Sequence, residues 1–156
     1  MSSPFLVALS TWLHALATIV WIGYYVFTGL IYLPVFERQM QANALRHLLE
    51  QVSARLKPFF GGSLLIFLVT GTHLMLINES YLGLGDFFAN LWSVLIVVKH
   101  VLVVVFLALA VLPERAFLGK ISDENPGALK KFRWSLNINT ILGMVIILLT
   151  TIAQAG

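Results

Sequence analysis

Three histidines and one lysine stand in stretches of this chain that are otherwise nearly free of ionisable groups. His14 lies within residues 1–36 and His73 within 58–78, and neither stretch contains an Asp, Glu, Lys or Arg. Lys99 and His100 lie side by side in a third apolar stretch, from Phe87 to Leu112. Imidazole binds copper and heme iron and can carry a proton, whereas a lysine inside an apolar segment needs either a neutral state or an anionic partner. A buried histidine can also do no more than hydrogen-bond a neighbouring helix. Three of them in one layer favour a shared ligand. Counting helical rise from span midpoints near 18, 68 and 100 puts His14 about 6 Å and His73 about 7 Å outward of the midplane, with His100 close to it. His47, the fourth histidine, falls on the polar side of an amphipathic segment and reads as solvated.

His14, Thr18, Trp21, Tyr25 and Thr28 follow one another at steps of four and three, so they form a single stripe along a helix. A polar and aromatic stripe at that depth is expected to face the bundle interior or a cofactor, which makes Trp21 and Tyr25 candidate binding residues. Lys99 lies about eleven residues from either end of its span, too deep to snorkel, and no carboxylate falls within any expected span. Three resolutions stay open: a neutral amine, an acid from a partner chain, or an anionic ligand such as a porphyrin carboxylate. Asn139 continues through Gly143 and Thr150 as a small, polar packing seam, and Asn137 lies on a different face. Met1, Met40, Met75 and Met144 are scattered; Met75 near His73 is the one His/Met pair that hints at copper.

The elements that must position these residues are membrane spans. Of 156 residues, 59% are hydrophobic and 11% are charged, where a soluble domain carries roughly 25% charged residues. That excludes an ordinary soluble enzyme, a disordered chain and a nucleic-acid binder. The absence of cysteine removes disulfide scaffolds, thiolate zinc sites and thiol catalysis. A span needs about 20 apolar residues, so four fit, at about 6–34, 58–78, 88–112 and 132–154. They are expected to form one transmembrane domain over residues 1–156, an all-α, up-down four-helix bundle in the lipid bilayer. Pro4, Pro34, Pro58, Pro113 and Pro126 are expected at or outside helix ends. The first span lacks a basic leader and an A-x-A site, and is read as retained.

Segment 37–57 carries Arg38, Arg46, Arg55 and Lys57, and segment 114–133 carries Arg115, Lys120, Lys130, Lys131 and Arg133. The loop around Glu79 and Asp86 has no basic residue. The positive-inside rule makes both basic segments cytoplasmic and puts both termini outside. Leu45, Leu48, Leu49, Val52 and Leu56 predict an amphipathic helix over about 38–57 that extends the second span. Asn125-Pro126 reads as the N-cap and first residue of the last helix, and Tyr81, Phe87, Phe88 and Trp92 as an aromatic belt.

His14, six residues, then Trp21-Ile22-Gly23 and a run to Leu33-Pro34 resemble the first helix of the copper-resistance D (CopD) family. Val69-Thr70-Gly71 and Leu95-Ile96-Val97-Val98-Lys99 fit the same pattern and that of the related HemJ family. Arg133 followed by Leu136-Asn137 is similar to the opening of the last HemJ helix, although Ile138 stands where HemJ-type sequences have a glutamate. The CopD resemblance implies copper transport, and the HemJ resemblance implies protoporphyrinogen oxidation. CopD proteins are usually longer, and His73 and His100 match positions in neither family.

Taken together, these features lead to the expectation of a b-type heme protein for electron transfer, a subunit among other membrane or redox proteins, in a bacterial inner membrane. His14 and His100, on diagonal helices, are the expected axial ligands, ahead of His73; Lys99 is a nearby charge or alternative ligand. A copper ion held by His14 and His100 is the alternative, with porphyrinogen oxidation or a cofactor-free structural subunit behind it.

Overall fold

The computed structural model describes residues 3–83, 85, 86 and 88–155. Among these, four helices are long and apolar enough to cross a membrane. They are α1 (Pro4–Gln39), α2 (Ala42–Leu76), α3 (Leu91–Phe117) and α4 (Pro126–Ala155). A hydrocarbon core of about 30 Å takes up roughly 20 residues, so each helix overshoots it. The chain is an all-α, four-helix integral membrane protein.

The overshoot collects at the end of the bundle that carries the basic residues. There α2 continues without a break through the amphipathic stretch, and Leu45, Leu49 and Ser53 are buried on one face of it. Prolines do not end these helices as expected. Pro4 and Pro126 do open α1 and α4, but Pro34, Pro58 and Pro113 lie inside continuous helices. An interior proline costs about 3 kcal/mol, and burying a leucine returns roughly 1.5–3 kcal/mol. Leu45 and Leu49 ahead of Pro58 are both buried, so continuing the helix offsets the proline. At Pro34 the device differs. Residues Phe27–Tyr32 form a π-helical turn in which the Leu33 amide donates to the carbonyl of Thr28. That wider turn takes up the strain that the proline ring places on the carbonyl four residues back.

The close pairs are α1 with α2, α3 with α4, and α1 with α4. Glycines allow the α1–α4 approach. A Cβ on Gly143 would lie 3.1 Å from Ile22 Cγ1, and one on Gly29 would lie 3.3 Å from Asn137 Oδ1. Asn139, between them on α4, is fully buried. The packed core occupies the basic half, where Trp21, Tyr25, Phe106, Phe132 and Leu136 cluster. The basic-end segments also touch one another. The Ala42 amide donates to Asp123 Oδ1 at 3.3 Å, and Arg133 pairs with Glu37 at 2.8 Å. At the opposite end Asn90 caps α3 by accepting from the Ser93 amide at 2.7 Å, and its side-chain amide donates to the Ser80 carbonyl at 2.9 Å. Tyr81 and Trp92 meet edge to face there, and Phe88 is exposed. Met1 and Phe87 lie outside the described residues.

Candidate functional site

His14 sits on the inward stripe of α1 together with buried Ala17, Trp21 and Tyr25. Its imidazole lies against α2. Gly71 makes room for it, since a Cβ there would come within 3.3 Å of His14 Cε1, and Phe67 meets the ring edge to face at 4.6 Å. His14 Nδ1 is 2.9 Å from Thr70 Oγ1, and Thr70 Oγ1 is itself 2.6 Å from the Ile66 carbonyl. The carbonyl can only accept, so the threonine's one proton goes to Ile66 and its oxygen accepts from His14 Nδ1–H. The tautomer follows: Nε2 of His14 keeps its lone pair. A histidine held through Nδ1 with Nε2 free has the form of a metal ligand fixed by a neighbouring hydrogen bond.

His100 reaches the same protonation by another route. Its Nδ1 donates to the carbonyl of Ile96, one turn back on α3, at 2.7 Å, which leaves Nε2 free as well. Its side chain is exposed, however, and not packed into the interior. Lys99 beside it is half-buried, and none of the four ion pairs among the described residues includes it. His73 lies on the α1–α2 seam with its Nδ1 2.8 Å from Ser10 Oγ. His14 and His73 thus bond across the α1–α2 pair, while His100 bonds within α3. Among the described residues, no group of three or more His, Asp or Glu side chains could hold a metal.

Trp21 and Tyr25, two and three turns further along α1, are brought together with something the sequence did not show. Trp21 packs on Phe60 at 4.7 Å and on Phe106 at 5.9 Å, and Tyr25 meets Phe106 at 5.1 Å. Beside these rings lies a cavity of about 310 Å³ reached by Ser53, Lys57 and Glu114. Ser53 Oγ donates to Glu114 Oε1 at 2.7 Å, and Lys57 Nζ pairs with the same oxygen at 3.2 Å. Glu114 was missed because Pro113 marked the end of the third span. Since α3 runs through that proline to Phe117, the carboxylate is carried on the helix and faces the bundle.

A sequence profile described as copper resistance protein D matches residues 50–153. The match takes in Thr70, Gly71, Lys99, His100 and Glu114 and begins after His14. No curated protein and no solved structure matches the chain.

Proposed function

The chain belongs to the copper resistance protein D family, and from that premise we propose that it carries copper ions within the membrane with His14 as the holding ligand. The protein is a membrane protein related to copper handling; the ligand, the route and the bacterial inner membrane as its site are our reading. One observation carries it. Thr70 fixes the His14 tautomer and so presents the Nε2 lone pair inside a membrane helix. Imidazole nitrogen suits copper, and the donors here fit the ion without the thiolates that the chain lacks. His100 Nε2 is the nearest candidate in kind for a second nitrogen, and His73 with Met75 offers donors one step outward. The basic end faces the cytoplasm in this reading, so the histidine layer stands in the outer half of the bilayer.

The test is copper uptake into proteoliposomes that contain the purified protein, read beside copper titration in detergent. His14→Ala should lower both affinity and flux at least tenfold, and His47→Ala should leave both unchanged. Wild-type protein that neither binds copper nor moves it overturns the proposal.

Heme b is a second reading, favoured by the matched protonation of His14 and His100, each with Nε2 free. A bound heme would be held by His14 and His100 and would supply one-electron carriage, with other redox subunits as partners. The exposure of His100 and the position of the cavity, beside Trp21 and not between the two histidines, fit it less well. A reducible Soret and α band in the purified protein, lost in both His14→Ala and His100→Ala, is its signature.

A further inference from the structure

The cavity at the basic end has a chemistry of its own that copper ligation does not use. Its walls include the rings of Trp21, Tyr25 and Phe60 and the charged side chains of Lys57, Glu114 and Arg115. Both contacts to Glu114 fall on Oε1, from Ser53 at 2.7 Å and Lys57 at 3.2 Å, which leaves Oε2 as an unused acceptor on a half-buried carboxylate. Trp21 is 8% exposed and lends the cavity a ring face, while its indole N–H is buried without accessible surface and does not open onto the cavity. A free carboxylate oxygen beside aromatic walls suits a flat ring that carries a hydroxyl. A metal cation suits the site poorly, because Lys57 already holds the carboxylate.

We propose that this cavity binds the ring of a membrane-borne quinone or hydroquinone, with Glu114 Oε2 accepting from a ring hydroxyl and the rings of Trp21 and Phe60 packing on its face. About 310 Å³ is at the lower end of the range for small-molecule sites and suits a single substituted ring with its tail left in lipid. Aromatic walls favour a flat π-system over a saturated lipid headgroup.

The experiment uses metal-free protein in nanodiscs, so it does not depend on the copper reading. Trp12, Trp92 and Trp134 are changed to Phe so that Trp21 alone fluoresces, and decylubiquinone and its reduced form are titrated in. Saturable quenching is expected. Glu114→Gln should weaken the hydroquinone about tenfold, by loss of a charge-assisted hydrogen bond, and the quinone by much less. Ala110→Phe, which fills the cavity from α3, should abolish saturation while thermal stability and helicity report that the bundle persists. Should Ala110→Phe unfold the protein, the Glu114→Gln contrast between the two redox forms decides alone. Quenching that rises linearly with quinone in the wild type, as simple partition gives, overturns the proposal, and so does equal affinity of wild type and Glu114→Gln for the hydroquinone.

Discussion

At His14 a single hydroxyl decides what the imidazole can do. Thr70 spends its proton on Ile66, so His14 must donate through Nδ1, and the lone pair is left on Nε2. The histidine itself was legible in the sequence, because an imidazole in a charge-free span is costly and therefore conspicuous. Its partnership with Thr70 was not, since that depends on the rotational register of α1 against α2, which no local spacing fixes. Lys99 was legible for the same reason as His14, and it now separates the two ligand readings. A charged ammonium at Lys99 would repel a copper cation but attract a porphyrin carboxylate. Lys99→Met keeps length and apolar packing and removes the charge. If copper is the ligand, affinity for it should rise, by roughly tenfold for unit charges about 12 Å apart at an effective dielectric near 20; if heme is, retention should fall by a similar factor. Isothermal titration with copper, beside heme content of the purified variant, reads the sign.

Helices were legible as apolar runs, but their ends were not, and proline was the reason. The rule that proline gathers at helix ends holds for Pro4 and Pro126 and fails for Pro34, Pro58 and Pro113, where flanking apolar burial or a π turn compensates. That failure alone hid Glu114. The small-residue seam on α4, by contrast, was visible from Asn139 and Gly143, and it does meet α1. Ile22 Cγ1 would stand 3.1 Å from a Cβ at Gly143, closer than ordinary packing allows. Gly143→Ala should therefore destabilise the bundle by about 1–3 kcal/mol, the usual cost of overpacking. Ile22→Ala removes the atoms that clash, so the two substitutions together should cost less than the sum of their separate effects. Thermal unfolding in detergent of the four members of this cycle measures the coupling; strict additivity would show that the helices part at that point.

For the molecule as a whole, charge sets direction. Nine of the ten basic residues gather at one end, and there the ends of α1 and α2 are tied to the segment before α4 and to α4 itself through Ala42–Asp123 and Glu37–Arg133. The expected orientation puts that end in the cytoplasm. Cysteines introduced singly at Ser80 and Ser122 should then differ on intact cells: an impermeant thiol reagent should label Ser80→Cys and spare Ser122→Cys, and the reverse pattern would invert the protein. The π turn of α1 has a consequence at this scale too. Trp21, Tyr25 and Thr28 are buried in α-helical phase, and Tyr32 is next in that phase, yet Tyr32 is 50% exposed and Leu33 is 0% exposed. The stripe has been re-indexed by one position, as if the chain held a supernumerary residue that the wide turn absorbs. Phe27–Tyr32 is thus the place on α1 where chain length is negotiable. Deleting Leu30 together with Pro34→Leu should give an ordinary helix that still points Leu33 and Glu37 inward, with near wild-type melting. Deleting Ile19 should turn everything after it by about 100° and scramble both the packing of α1 and its anchor to Arg133.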